Sequence, residues 1–247
     1  MKEGPVLSLA IPVHSQKEAP ALARTLDAIH QVLPTGTIEV VIQIGDADAT
    51  TWSADLSRHA CAPLVECASD HGVYDAMNQL AQRASGERIL FLGAGDIPLA
   101  GLQRALNRWG ALDDVLELGG VRMPNAEPRV PKHYAPRWGR GLRWKNVAHH
   151  QGMAYPLQLF RTFGGFALEY RVLADYALNI EMWQEGVQAR WSEGEDWVSA
   201  SPGGLSRQFN AALYEEELRL KRAILRPGLG RSLQPLWLRL KARWKRA

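Results

Sequence analysis

Val6–Pro12 (Val-Leu-Ser-Leu-Ala-Ile-Pro) is a near-continuous apolar run of strand length, which predicts a buried strand. Leu22, Leu26, Ile29 and Leu33 then recur at helical spacing, and Pro34-Thr35-Gly36 stops that helix. Ile38–Ile44, rich in β-branched residues, predicts a second strand, followed by a short helix over Leu56–Ala60 and a short strand over Leu64–Cys67. Tyr74, Met77, Ala81 and Ala84 make one apolar helix face that Ser85-Gly86 ends. Arg88–Leu92 is a strongly apolar strand delivered into Gly93-Ala94-Gly95-Asp96. This alternation predicts an α/β fold with a Rossmann-like, mostly parallel sheet flanked by helices.

Beyond residue 98 the pattern loosens. Leu99–Trp109 reads as a helix and Val115–Arg122 as a strand. Met123–Asn146, with Pro124, Pro128, Pro131, Pro136 and several glycines, reads as one long loop, and long loops in compact domains are usually functional or mobile. Pro156–Phe163, a Gly164-Gly165 break and a helix from Asp175 to Glu185 follow. At the end, Leu233, Leu236, Trp237, Leu240 and Trp244 fall on one face of a helix, with Pro235 in its first turn, where proline is tolerated.

Composition narrows the class. Apolar residues make up 46% and charged residues 22% of 247, which is globular and excludes a disordered or fibrous chain. Two cysteines, Cys61 and Cys67, form no C-x-x-C pair, so neither a disulfide scaffold nor a cysteine zinc site is expected and a reducing compartment fits. The apolar run near the N-terminus is short and lacks a small-residue cleavage site, so it reads as a strand and not a signal peptide, and no stretch is long enough to span a bilayer. From Arg226 onward there are seven cations and no acid; the other 22 cations against 26 acids leave residues 1–225 at −4. An acidic body argues against a nucleic-acid partner, and a basic tail favours an anionic surface.

Asp96 follows the most apolar strand, at the position where open α/β sheets bind ligands. Gly93 and Gly95 let a phosphate or sugar approach the backbone, and a carboxylate there suits a hard divalent cation on a diphosphate. A tight turn whose Asp caps the next helix accounts for Gly-Ala-Gly-Asp equally well.

The run Asp70-His71-Gly72-Val73-Tyr74-Asp75-Ala76-Met77-Asn78, followed by Ala84-Ser85-Gly86-Glu87-Arg88-Ile89-Leu90-Phe91-Leu92-Gly93-Ala94-Gly95-Asp96, resembles a signature of family 2 glycosyltransferases of the GT-A fold. His150-Gln151 resembles that family's H-Q pair, Leu168–Leu178 its L-E-Y-K-V-x-x-D-Y-A-L and Gly203-Gly204-Leu205-Ser206 its G-G-V-S. The resemblance covers about residues 6–225 and is strongest to the sugar transferases of colanic-acid and other exopolysaccharide pathways. It implies a glycosyltransferase domain over 1–225, with a nucleotide-sugar half (1–98) and an acceptor half (99–225), and a basic amphipathic tail over 226–247.

It further implies a nucleotide-sugar pocket at Pro12, Val13, His14, Asp46, Asp48, Asp70, Asn78, Ala94 and Gly95, with Asp96 holding Mg²⁺ or Mn²⁺. Asp175 matches the family's catalytic base, taking the proton of an acceptor hydroxyl with inversion at the anomeric carbon. His150, Gln151, Arg137 and Arg140 would meet the acceptor or a diphosphate. Two departures stand out: Ile44 occupies the place of the family's first Asp after the second strand, and Gly93 replaces an Asn beside the metal position. With one acidic ligand the metal would lean on diphosphate oxygens and water, which suits Mg²⁺.

The expected activity is inverting transfer of a sugar from a nucleotide-sugar donor to a hydroxyl of a lipid-linked glycan in surface polysaccharide biosynthesis, with the protein cytoplasmic and peripheral on the inner membrane's cytoplasmic face. The competing reading is a GT-A-like pseudoenzyme that binds sugar nucleotides or scaffolds a membrane assembly. Three features remain open at this stage. The long loop either closes over a diphosphate or is a solvated connection. Trp138 and Trp144 either stack on ligand or fill space, and the tail's Leu/Trp face meets either a lipid surface or the domain itself.

Overall fold

The computed structural model describes residues 4–34, 36–45, 52, 55–109, 114–124, 131–202 and 210–246. Asp46, Asp48, Gly203–Ser206 and residues 125–130 of the long loop therefore lie outside the described residues.

The first half follows the apolar pattern closely. Strand β1 (Leu7–Val13), helix α1 (Ala19–Val32), β2 (Ile38–Ile44), β3 (Leu64–Cys67), α2 (Val73–Arg83) and β4 (Arg88–Phe91) succeed one another. β1 lies between β2 and β4, β3 flanks β2, and all these pairings are parallel. Parallel strands are covered on both faces, and β1 and β4 are accordingly buried almost throughout. α1 buries Leu22, Leu26 and Ile29 on one side of the sheet. α2 buries Tyr74, Met77, Leu80 and Ala81 on the other.

The second half continues with β5 (Ile97–Pro98), α3 (Ala100–Leu106), β6 (Leu116–Arg122), β7 (His133–Tyr134), β8 (Met153–Pro156), α4 (Leu157–Thr162), α5 (Ala174–Gln184), β9 (Ala189–Ser199), α6 (Ala211–Ile224), α7 (Leu229–Ser232) and α8 (Gln234–Arg246). The sheet runs β3-β2-β1-β4-β8-β6-β9-β5, with β7 paired to β6. β8 is antiparallel to both β4 and β6, while β6 and β9 are parallel. The fold is thus mixed α/β with a mostly parallel sheet flanked by helices.

Three features depart from the sequence pattern. β9 has no apolar run to announce it, because Glu193-Gly194-Glu195-Asp196 interrupts it; Arg104 and Arg108 neutralise Glu195, and Arg122 neutralises Asp196. Opposite that stretch the β6–β9 register shifts on either side of Gly120. The expected long loop is held to the body over 131–146: it carries β7 and a 3-10 turn at Arg140–Arg143, and Leu142 is fully buried. Trp138 donates its indole N–H to the Val187 carbonyl at 2.8 Å and packs on the core, and Trp144 packs edge-on against Trp237. These rings are engaged within the protein, in keeping with the space-filling alternative.

Candidate active site

β1, β2 and β4 run parallel, so their carboxyl ends share one edge, where open α/β sheets bind ligands. Pro12 and Val13 end β1, and the exposed His14 follows. The Gly45 N–H donates to the Val13 carbonyl at 2.9 Å. A Cβ at Gly45 would stand 2.8 Å from Asp70 Oδ2, so the Asp70 carboxylate lies directly over that strand end. Its Oδ1 accepts the Gly72 N–H at 2.9 Å, at the start of α2. Pro12, Val13, His14 and Asp70 therefore lie together at this sheet edge, and Asp46 and Asp48 lie outside the described residues.

Asn78 is not among them. Its Nδ2 donates to the Phe166 carbonyl and its Oδ1 accepts the Phe166 N–H, each at 2.8 Å. Both ends of the amide are spent tying α2 to the segment after α4, which corrects its assignment to the donor pocket.

At the end of β4, Ala94 and Gly95 form the tip of the turn. Gly95 adopts φ +97°, and a Cβ there would meet Ser201 Oγ at 2.8 Å, so both backbone and space demand glycine. Asp96 is only 2% exposed. Its Oδ2 accepts the Gly93 N–H at 2.7 Å and the Gln151 amide at 2.9 Å, and its Oδ1 accepts the Ser201 N–H at 2.8 Å. Asp96 does not cap α3, whose N-cap is Leu99, and this removes the helix-cap alternative. A carboxylate offers about four lone-pair positions, of which three are taken. Among the described residues no three His, Cys, Asp or Glu side chains converge as a cage. One acceptor position of the Asp96 carboxylate is therefore left over.

Gln151 reaches Asp96 because β8 returns antiparallel along β4, with Ile89 opposite Tyr155. It is 9% exposed, and its Oε1 is buried without a hydrogen-bond donor.

Asp175 sits in the first turn of α5, a helix buried on nearly every face, where the helix dipole favours a negative charge. Its Oδ1 faces the Tyr176 N–H at 2.7 Å and the Tyr74 hydroxyl at 3.2 Å, which is also 2.8 Å from the Val172 carbonyl. Its Oδ2 faces His150 Nδ1 and Asn146 Nδ2, both at 3.3 Å. Burial by itself would raise this carboxyl, but the His150 hydrogen bond, the His150 and His149 charges and the Tyr176 N–H outweigh it and hold it below the ordinary range. Burial, and after it the Asp175 charge, pushes the Tyr74 hydroxyl well above its ordinary range. The adjacent residues His150 and Gln151 thus bridge the two carboxylates, one reaching Asp175 and the other Asp96.

A 530 Å³ cleft is lined by His133, Arg137, Trp138, Trp191, Glu195 and Asp196 among others. Tyr134, between the lining residues His133 and Ala135, has its ring centroid 5.3 Å from that of His149, which lies 4.9 Å from His150. Arg137 lines the cleft; Arg140 is exposed on its 3-10 turn and does not. Arg143 lies over the Trp183 ring at 5.1 Å, a packing role.

Sequence reasoning missed three contributors. Asn146 was counted only as the end of a loop and Tyr74 only as a core face. Glu216 on α6 accepts the N–H groups of Arg171, Val172 and Leu173 at 3.1, 2.8 and 2.8 Å, so it fixes the entry to α5. A residue more than forty positions from its partners leaves no local signature, whereas Tyr74 at least lay within a motif.

Comparison with known proteins gives a consistent picture. No family model matches. A "PGL/p-HBAD biosynthesis glycosyltransferase" of Mycobacterium bovis is 32% identical over 186 residues, covering 71% of this chain and 69% of that protein, and one of Mycobacterium tuberculosis matches equally. Among solved structures, Staphylococcus aureus TarS 1–349 with UDP-GlcNAc superposes at TM-score 0.67 and 16% identity, over 94% of this chain and 70% of that one. The mannosyltransferase PcManGT of Pyrobaculum calidifontis, with GDP-Man and Mn²⁺, superposes at 0.65 and 20% identity, over 98% and 72%.

Proposed function

The chain belongs to the glycosyltransferases, with a family 2-like GT-A fold, and from that premise we propose that it is an inverting enzyme moving a hexosyl or deoxyhexosyl unit from a nucleotide sugar to a hydroxyl of a lipid-linked glycan. The observation that carries this reading is the His150-Gln151 bridge between Asp175 and Asp96 at the carboxyl ends of the strands. A donor-side carboxylate and an acceptor-side carboxylate held by two adjacent residues suit a single displacement, in which leaving group and nucleophile act together.

Pro12, Val13, His14, Asp46, Asp48 and Asp70 take the nucleoside, and the Ala94-Gly95 turn takes the diphosphate. Asp96 would hold Mg²⁺ or Mn²⁺, which when bound would offset the charge gathering on the departing nucleoside diphosphate. Gln151 Oε1 is an acceptor in search of a donor, so it suits a sugar hydroxyl and not a phosphate oxygen. Asp175 stays ionised beside the attacking hydroxyl and supplies the negative charge that draws off its proton. The acceptor glycan enters by the cleft carrying Trp191 and Arg137, where an aromatic face and hydrogen-bonding side chains suit a sugar chain. Arg140 meets a phosphate of the acceptor from the exposed turn.

The tail supports attachment to the cytoplasmic surface of the inner membrane. No described helix is long and apolar enough to cross a membrane. α8 docks through Gln234, Leu238 and Lys241, while Leu236 and Leu240 of its apolar face, and Leu233 just before it, are exposed. An exposed apolar stripe on a cationic helix fits an anionic headgroup layer.

The test is thermal denaturation against UDP-, GDP- and dTDP-sugars, with and without Mg²⁺. One donor should stabilise the fold, by about 2.7 kcal/mol at a hundredfold excess over Kd. In Asp96→Ala the Mg²⁺-dependent part of that shift should vanish. No stabilisation by any sugar nucleotide would defeat the reading.

A further inference from the structure

We propose that the cavity between the end of α6 and the tail binds the phosphate of an anionic phospholipid headgroup. This rests on the membrane attachment proposed above and names the lipid chemistry that the attachment recognises.

The chain builds the cavity where it leaves α6. Pro227-Gly228 breaks the run, with Gly228 at φ +149°, and the short α7 then brings Arg231 and Ser232 to the same space as Arg222, in the last turn of α6. The Gly228 carbonyl holds this turn by accepting the Arg231 and Ser232 N–H groups at 3.0 and 3.1 Å. The cavity measures 390 Å³ and is lined by Arg222, Pro227, Gly228, Arg231, Ser232 and Pro235.

Its lining carries two guanidinium groups and one hydroxyl, and no carboxylate. Acids on the neighbouring helices are already paired, Glu185 with Arg226 and Glu217 with Lys221 and Lys241. Arg222 is exposed and has no hydrogen-bond or ion-pair partner among the described residues. Arg231 donates to the Leu225 carbonyl at 3.3 Å and the Ser232 hydroxyl to the Gly228 carbonyl at 3.4 Å, long contacts that an ionised acceptor would outcompete. Two cations around one space repel each other, and an anion between them removes that cost. The planar guanidinium fork matches phosphate oxygens bidentately, so two forks and a hydroxyl suit a group with several accepting oxygens.

The flanking residues indicate what the phosphate is attached to. Leu233 directly follows Ser232 and Leu236 directly follows Pro235; both are exposed, as is Leu240 one turn further along α8. Phosphate-binding donors beside exposed leucines match a molecule with phosphate at one end and hydrocarbon at the other. Free phosphate would use only the first half of that surface. Arg239 and Arg243 are also exposed cations of the tail but line no part of the cavity. They separate recognition in the cavity from general attraction to a charged surface.

The experiment measures co-sedimentation of the full chain with phosphatidylcholine vesicles carrying phosphatidylglycerol. Arg222→Ala with Arg231→Ala, and Arg239→Ala with Arg243→Ala, each remove two positive charges. The first pair should weaken binding about tenfold more than the second, the equivalent of one charge-assisted hydrogen bond. Arg222→Lys with Arg231→Lys keeps the charge and loses the fork, and it should also bind more weakly than the wild type. Melting of the wild-type chain needs no variant and distinguishes the sources of phosphate. Dihexanoyl phosphatidylglycerol, kept below its micelle concentration, should raise the melting temperature more than inorganic phosphate at the same concentration. Equal losses from the two alanine pairs overturn the inference and leave attachment by charge and leucines standing. Equal stabilisation by inorganic phosphate overturns the assignment to a lipid. A wild-type chain that binds no anionic vesicles overturns the membrane reading, and the inference with it.

Discussion

Glu216 illustrates how one side chain far from the reaction sets its geometry. Its carboxylate collects three consecutive backbone N–H groups ahead of α5, the helix whose first turn carries Asp175. Glu216→Ala leaves those partly exposed donors to water, and the net loss of a hydrogen bond costs roughly 0.5–1.5 kcal/mol each. The melting temperature should fall by several degrees, roughly 2–4 °C per kcal/mol for a chain of this size. Activity should fall further than the lost stability explains, because Asp175 follows directly on the displaced segment. Glu216→Gln, which keeps an accepting oxygen, should fall between the two. Calorimetry paired with kcat checks both parts, and an unchanged melting temperature would show the cap to be dispensable.

At the scale of an element, α8 divides its faces. Gln234 donates to the Arg143 and Gly230 carbonyls, Leu238 is buried, and Lys241 pairs with Glu217. Glu217 also holds the fully buried Lys221, whose ammonium burial pushes down to about 8. The docking side is thus largely polar, with Trp237 of the apolar stripe packed on Trp144, while the stripe's leucines are left outside, with Leu236 59% and Leu240 54% exposed. Replacing both by Glu removes apolar area and adds charge without touching the docked side. Binding to anionic vesicles should be lost in co-sedimentation while the melting temperature holds. Retained binding that ignores salt and lipid charge would count against the membrane assignment.

At the scale of the whole molecule, the tail and the reaction centre are joined through the 131–146 segment. Gln234 and Trp237 donate to the Arg143 and Trp144 carbonyls, Lys221 donates to the Trp144 carbonyl as well, and two residues on, Asn146 donates to Asp175. Ending the chain at Leu225 should therefore do two things. Vesicle binding should disappear, and kcat with a water-soluble acceptor should fall, because the segment carrying Asn146 and Arg137 loses two of its ties. If kcat on the soluble acceptor were unchanged, the tail would serve the membrane alone.

The sequence by itself determined the parallel half of the sheet and the presence of a sugar-transfer signature. Strands buried on both faces must be apolar throughout, so β1, β2 and β4 announce themselves, and Asp96 and Asp175 stand in motifs that survive as local strings. The tertiary structure decided whatever depends on distant partners. β9 was hidden because its Glu195 and Asp196 are neutralised by arginines from α3 and β6, so a strand in the sheet reads as polar. Asn78 stood in the right motif but turned to Phe166, because the motif fixes the helix and packing fixes the amide. The outward face of α8 was likewise undecidable from periodicity, which gives a stripe but not its direction. Docking by Gln234, Leu238 and Lys241 chose it, since burying Lys241 against Glu217 gives the lysine a charged partner and leaves the leucines free.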